Sequence, residues 1–262
     1  MGWNDAYWKG KENRKQQAVK HHEDTLKVYG AEISKSVQNT KIYSQKVDGL
    51  IRSKNTPESI VVNLDTVSAV FEYGIGDDRT AVLNFASYKN PGGGFLAGSS
   101  AQEESLCMES DLFEVISNKR FDDFYTWNNA HKNKALYTNR GLFSPGIIFE
   151  KNGKTTTASV ITVAAPNRKA YMDYIPGANE EENFNTLRSR IQFVADIISD
   201  NNIDTTILGA FGCGVFAQDP KIVASLFKEV MSSSTVNKVI YAVIDKGGHS
   251  KEGAYNIFKN IF

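Results

Sequence analysis

The sequence predicts an α/β protein whose central sheet is mostly parallel and covered by helices on both faces. From Ser59 to the end of the chain, short apolar runs typical of buried strands alternate with segments of helical periodicity. Two of these runs, at 81–86 and 205–210, end in glycine-rich loops that lead directly into helices. Strands joined by crossover helices form parallel pairs, because a parallel neighbour can be reached only through a long connection.

The individual elements follow from these patterns along the chain. Residues 1–58 are predicted to form a helical accessory region with an amphipathic helix over 13–29, and 54–58 is the best linker to a domain over 59–262. Within that domain we predict strands at 60–63, 81–86, 141–149, 158–164, 205–210 and 236–244. The predicted helices cover 66–73, 102–116, 185–199, a segment beginning at 221, and 253–262. Residues 120–140 lack clear periodicity, so we predict no helix or strand there. We assign no functional role to His249.

Composition and charge exclude several classes of protein. Thirty basic and thirty acidic side chains cancel, so no overall field attracts nucleic acid, and any anionic ligand must be bound by local geometry. The two cysteines, Cys107 and Cys213, provide neither a disulfide framework nor a zinc cluster, and we expect no metal and no cofactor. No segment is apolar enough to span a membrane and the start lacks a signal peptide, so we expect a cytoplasmic protein.

The segment 80–106 combines a strand, a glycine loop and a pair of acids. Pro91 stops the strand, and Gly92, Gly93 and Gly94 leave a backbone that can approach a ligand closely. Gln102, Glu103 and Glu104 follow at the predicted start of a helix. Successive N–H groups in such a turn, together with a helix N-terminus, bind anions. A carboxylic acid beside that site could protonate the leaving oxygen of a sugar attached to a phosphate.

The pair of acids has a simpler interpretation as well. Two glutamates in the first turn of a helix can merely complement the helix dipole. Because Glu103 and Glu104 follow a triple glycine at this spacing, we interpret them instead as functional residues of a ligand site. Adjacent residues point in different directions, so one carboxyl can reach a reacting bond while the other holds sugar hydroxyls.

A second loop repeats this arrangement after the strand at 205–210. It contains Gly212, Cys213, Gly214, Val215 and Phe216 and leads into a helix. Ligands of open α/β sheets gather at such strand ends, although a tight turn with a core phenylalanine would explain the same residues. No His or Asp is coupled in sequence to Cys213, so we interpret it as a small residue beside backbone donors instead of a nucleophile.

These motifs together resemble a known family. Gly-Gly-Gly, seven residues and Gln-Glu-Glu, directly after Asn84-Phe85-Ala86-Ser87, resembles the defining motif of the poly(ADP-ribose) glycohydrolases, specifically the bacterial type built on a macrodomain. The run Gly-Cys-Gly-Val-Phe over 212–216 resembles the diphosphate loop of that family. Phe143-Ser144-Pro145 resembles its Tyr-Ser-Pro stretch, with Phe143 at the Tyr position. The resemblance covers residues 59–262 well and the N-terminal region weakly.

The resemblance implies a macrodomain-like, three-layer α/β/α sandwich with a mixed, mostly parallel sheet and an N-terminal helical extension. It implies a glycosidase that hydrolyses the ribose–ribose O-glycosidic bonds of poly(ADP-ribose) and releases ADP-ribose. Glu104 matches the catalytic acid, which would later activate water, and Glu103 would hold ribose hydroxyls. The implied substrate-binding residues are Asn90, Gly92, Gly93, Gly94, Gln102, Gly212, Cys213, Gly214, Val215 and Phe216.

Three other functions remain open at this point. The chain could remove single ADP-ribose units from protein or nucleic acid, bind a soluble ADP-ribose derivative without turnover, or be a scaffold with a decayed site. The intact Gln-Glu-Glu disfavours the last two, because a pure binder needs no proton donor. The expected partners are therefore ADP-ribose or ADP-ribosylated macromolecules, and we expect a monomer with no membrane partner and no general nucleic-acid binding.

Overall fold

A computed structural model of the chain describes residues 3–44, 47, 56–244 and 253–262, and the side chains from residue 10 onward. The first part of the predicted linker over 54–58 lies outside these residues, and so does His249. None of the helices in the described ranges combines the length and apolar character needed to cross a bilayer.

Seven strands of the described chain form one mixed sheet. They are β1 (Lys41–Tyr43), β2 (Glu58–Val62), β3 (Thr80–Phe85), β4 (Gly141–Lys151), β5 (Lys154–Val163), β6 (Thr205–Leu208) and β7 (Lys238–Ala242). Their order in the sheet is β1-β4-β5-β3-β6-β7-β2. The five strands from β5 to β2 are parallel to their neighbours, whereas β4 runs antiparallel to both β5 and β1. The predicted mostly parallel sheet is confirmed.

Helices cover both faces of this sheet. Within the described residues they are α1 (Trp3–Val28), α2 (Gly30–Asn39), α3 (Thr66–Tyr73), α4 (Gln102–Met108), α5 (Leu112–Ile116), α6 (Asp122–Ala130), α7 (Arg168–Tyr174), α8 (Glu180–Asp200), α9 (Pro220–Met231) and α10 (Ala254–Ile261). Leu83 packs into a cluster with α8, α9 and α10, and its neighbour Val82 packs into a second cluster with α1 to α6. Successive side chains of a strand point to opposite faces, so β3 holds the two clusters apart. The predicted three-layer architecture is confirmed.

The N-terminal region packs onto the second of these clusters. Ala18 of α1 and Ile33 and Val37 of α2 are buried in it, and β1 adds an edge strand to the sheet. The Arg14 Nε donates a hydrogen bond of 2.9 Å to the carbonyl oxygen of Gly98, beside the first glycine loop. The region is therefore in contact with the candidate site, and the division of the chain at residue 58 stays a prediction.

The single helix predicted over 102–116 is wrong, because the structure has two helices there. Between α4 and α5 the chain pairs with β4: Ser110 forms an isolated bridge with Phe149, and the Asp111 N–H donates to the Ile148 carbonyl at 3.1 Å. Backbone groups that bond to a strand cannot bond within a helix, so the helix stops and restarts.

Candidate active site

The first loop places the triple glycine directly over the two carboxylates. Gly93 has a positive φ of 60°, and a Cβ there would lie 2.6 Å from the Glu104 Oε1 and 2.9 Å from the Glu103 Oε2. Cβ atoms essentially never approach other atoms this closely, so a side chain here would displace the two carboxylates. The carboxylates and the positive φ together favour glycine at this position.

Gln102 fastens the start of α4 to the end of β3. Its Oε1 accepts a hydrogen bond from the Phe85 N–H at 2.8 Å, and its Nε2 donates to the Leu83 carbonyl at 2.9 Å. The side-chain amide therefore satisfies the same strand groups that a neighbouring strand would satisfy. This contact fixes the position of the two residues that follow.

Glu103 points back towards the sheet and is almost fully buried. Its Oε1 accepts from the Asn84 Nδ2 at 3.2 Å, and its Oε2 accepts from the Ser87 N–H at 2.7 Å. Burial, with a smaller contribution from the neighbouring Glu104 charge, raises the pKa of Glu103 to about 8, although the N–H donors oppose this rise. Glu103 therefore holds a proton at neutral pH.

Glu104 points the other way, beneath the glycine loop. Its Oε1 accepts from the Gly94 N–H at 2.8 Å, and its Oε2 accepts from the Ala101 N–H at 2.9 Å. Glu104 is 9% exposed to solvent, whereas Glu103 is 3% exposed. The adjacent carboxyls are thus both buried but are held in different hydrogen-bond environments, Glu103 against the end of β3 and Glu104 against the glycine loop.

The second loop is anchored from behind and open in front. The buried Gln218 Nε2 donates to the Pro166 carbonyl and to the Asn183 Oδ1, both at 2.9 Å, which ties the loop to α8. Around Gly214, by contrast, no described residue other than its chain neighbours places an atom within 4 Å of the position of a Cβ. Among the residues that the structure describes, the N–H groups of Gly214, Val215 and Phe216 donate to no protein acceptor. These three donors are available for a ligand.

Two adjoining cavities form a cleft between the loops. The smaller, of about 140 Å³, is lined by Phe85, Ala101, Gln102, Ala165, Gly212, Gly214, Val215 and Phe216. The larger, of about 350 Å³, shares four of these residues and extends past Asp65 towards Ala254 of α10. The cleft therefore lies at the carboxyl ends of β3, β5 and β6, where an open α/β sheet binds its ligands.

Not every predicted site residue lines this cleft. Gln102 and the residues of the second loop do, including Cys213, whose burial raises the pKa of its thiol. Asn90 is exposed on the first loop, and Glu103 and Glu104 lie under that loop beside the end of the cleft marked by Ala101 and Gln102. No cluster of three or more potential metal ligands occurs in the ranges that the structure describes.

Several residues around the site were missed by the sequence reasoning. Tyr88 and Tyr137 stack with ring centroids 4.3 Å apart, and Tyr137 meets the edge of Phe216 at 6.1 Å. Asn84, which holds Glu103, was quoted only as part of a motif. The fully buried Arg190 lies behind the cleft and was not considered at all. The only signal for Arg190 was a charged residue among the apolar positions of α8.

The fold and the site together define a ligand-binding α/β sandwich with a pair of positioned carboxylic acids. The family profile of the microbial-type PARG catalytic domain, where PARG is poly(ADP-ribose) glycohydrolase, matches residues 13–152, more than half of the chain. The chain belongs to this family, as the motif predicted. The match includes both the first loop and most of the N-terminal helices.

Solved structures support the same relationship. The chain is similar to the poly(ADP-ribose) glycohydrolase of Deinococcus radiodurans in complex with ADP-ribose, with 28% identity, a TM-score of 0.76, and coverage of 87% of this chain and 96% of that one. It also shares its fold with the Thermomonospora curvata enzyme bound to the inhibitor ADP-HPD, with 24% identity, a TM-score of 0.80, and coverage of 96% and 100%. A search of curated proteins gave no match.

Proposed function

We propose that the cleft binds the terminal ADP-ribose of poly(ADP-ribose) and that the chain hydrolyses the adjoining ribose–ribose bond. Family membership supports this activity, and so does the ADP-ribose complex of the similar Deinococcus radiodurans protein. The observation that carries the proposal is the pair of carboxyls, Glu103 and Glu104, held beside the end of a cleft whose other wall has N–H donors without an acceptor among the described residues.

The second loop would bind the diphosphate. The N–H groups of Gly214, Val215 and Phe216 have no protein acceptor in the described chain, and a concave row of such donors suits phosphate oxygens. A diphosphate held there would leave its distal ribose near Phe216 and close to the first loop. The ring of Phe216 would then limit how that ribose can tilt.

Glu104 would be the general acid. It is the less buried of the two carboxyls and lies under Gly93 and Gly94, at the end of the cleft where the bond would break. Protonation of the leaving oxygen lets an oxocarbenium-like ribose form, and the resulting carboxylate can then take a proton from water. Two backbone N–H bonds hold the carboxyl in one orientation for both steps.

Glu103 would position the ribose by hydrogen bonds to its hydroxyls. Because its pKa is raised to about 8, it is neutral at pH 7 and can donate as well as accept.

The test is the variant Glu104→Gln, which preserves size but cannot supply a proton. We expect release of ADP-ribose from the polymer to fall by about two orders of magnitude or more, with ADP-ribose still bound. The matched control is Glu109→Gln, at the other end of the same helix, where the carboxylate pairs with Lys151 and not with the site. A Glu104→Gln turnover within a few-fold of the unaltered chain would contradict the assignment.

The same assay distinguishes the alternative substrates. Proteins or nucleic acids that carry single ADP-ribose units are tested in parallel with the polymer. If ADP-ribose is released faster from these than from the polymer, the proposed substrate becomes a mono-ADP-ribosylated macromolecule. The expected monomeric state and the cytoplasmic location stay predictions.

A further inference from the structure

The side chain of Arg190 carries a buried charge that no acidic group in the described chain neutralises. Arg190 lies in the middle of α8 with 0% exposure. Its Nε donates to the Asn139 Oδ1 at 2.7 Å, and its two terminal nitrogens donate to the carbonyl oxygens of Leu136 and Ala164. All three acceptors are neutral. No carboxylate in the described ranges pairs with the guanidinium, although a buried charge is costly unless it is compensated.

The guanidinium lies directly behind the wall of the cleft. Ala164 is followed by Ala165, which lines the smaller cavity and lies 2.8 Å from the position of a Cβ on Gly212. Leu136 is followed by Tyr137, whose ring contacts Phe216. The Ala164 carbonyl is therefore one residue away from the lining of the cleft, and the Leu136 carbonyl is one residue away from a ring that packs against the lining residue Phe216.

The charge persists at physiological pH. Burial lowers the pKa of Arg190 to about 10, which still leaves the guanidinium fully protonated at pH 7. In the low-dielectric interior its field is weakly screened. The field extends through Ala164 and Ala165 into the cleft on one side, and past the half-exposed Asn139 towards the surface on the other. An anion bound between Ala165 and Gly214 would be the missing counter-charge.

We propose that Arg190 is a positioning residue that attracts the diphosphate of ADP-ribose electrostatically, through the wall of the cleft and without touching the ligand. This inference rests on the proposed function, because it assumes that a dianionic ligand occupies the cleft. A purely structural Arg190 would instead serve only to hold the Leu136 and Ala164 carbonyls in place.

The variant Asn139→Asp separates the two roles. It is nearly isosteric and preserves the hydrogen bond to the Arg190 Nε, but it places a carboxylate against the guanidinium and neutralises its charge. The Ser189 hydroxyl, which now accepts from the Asn139 Nδ2 at 2.9 Å, can turn to donate to the new carboxylate. The matched control is Asn185→Asp, which adds the same charge on the exposed face of α8.

Binding of ADP-ribose and of uncharged adenosine is measured by calorimetry on the full chain, with melting temperatures recorded for each variant. We expect Asn139→Asp to lower the affinity for ADP-ribose by at least about tenfold and the affinity for adenosine by less than about twofold. The melting temperature should not fall. Asn185→Asp should weaken neither ligand by more than about twofold. Arg190→Lys, which keeps a charge near the same place, should retain ADP-ribose binding better than Arg190→Gln.

Two results would overturn the inference while leaving the proposed function intact. One is unchanged ADP-ribose affinity in a folded Asn139→Asp variant. The other is an equal loss for ADP-ribose and adenosine, which indicates a distorted cleft. If the unaltered chain itself failed to bind ADP-ribose, the proposed function would fail first, and this inference with it.

Discussion

The proton that Glu103 holds at neutral pH has a measurable effect on stability. In the unfolded chain this carboxyl titrates near pH 4.5, and in the folded chain near pH 8. Below pH 4.5 both the folded and the unfolded chain hold the proton, so Glu103 does not make the free energy of unfolding depend on pH. Between these values only the folded state holds it, so the free energy of unfolding falls as the pH rises through that window.

Glu103→Gln removes this dependence. The separation of the two pKa values corresponds to about 5 kcal/mol at roughly 1.4 kcal/mol per pH unit. The variant should therefore match the unaltered chain near pH 4.5 and exceed its unfolding free energy by up to about 5 kcal/mol at pH 9. The new amide can be accommodated, because the buried Asn84 Oδ1 has no hydrogen-bond partner among the described residues and can turn to accept from it.

Urea denaturation followed by circular dichroism, from pH 5 to pH 9, measures the difference between the two chains. Asp111→Asn is the matched comparison, since burial raises the pKa of Asp111 from 3.8 to about 7. The gain in unfolding free energy of Asp111→Asn over the unaltered chain should be nearly at its maximum by pH 7, whereas the gain of Glu103→Gln should continue to grow towards pH 8. A difference for Glu103→Gln that stays flat from pH 5 to pH 9 would show that Glu103 is ionised in the folded chain throughout, and the reasoning would be refuted.

Three further predictions concern the loops. Gly214→Val should leave the melting temperature unchanged, because the space around this position is empty, but should block the backbone approach to the diphosphate and abolish ADP-ribose binding in calorimetry. Gly93→Ala should lower both melting temperature and activity, because its Cβ meets both carboxylates; equal melting temperatures for the two glycine variants would contradict this contrast. Phe216→Ala should reduce catalytic efficiency by about tenfold or more and destabilise the chain by less than the roughly 3–5 kcal/mol of a fully buried phenylalanine, since this ring both packs on the core and lines the cleft. If activity fell only in proportion to the fraction of unfolded protein, Phe216 would be a core residue and not one that faces the ligand.

The parts of the site that sequence predicted are those encoded by adjacent residues. The strand, the triple glycine and the Gln-Glu-Glu helix start follow one another within 80–106, so their order in the chain is also their order in space. The same holds for the second loop over 211–220. The turn Asn152-Gly153, with φ of 52° and 72°, joins β4 to β5 and could also have been found, because Asn-Gly is the strongest short-range hairpin signal.

The remaining parts depend on contacts between distant residues. The amide pair of Asn183 and Gln218 joins positions 35 residues apart, and nothing in either local sequence indicates the partner. α6 lies in the segment without clear periodicity because both apolar and polar members of it are buried, including Phe124 and Asn128. Burial of a polar group can be predicted only when its hydrogen-bond partner is known.

The contact between α1 and the turn at Gly98 links two stretches of sequence that lie more than eighty residues apart. A Cβ at Gly98 would lie 2.3 Å from the Lys11 carbonyl oxygen, so no side chain can be added there while α1 keeps its place. We therefore expect the helix and the turn to change together among related sequences. A side chain at Gly98 would require α1 to shift, and α1 is the helix that lies against the end of the first glycine loop.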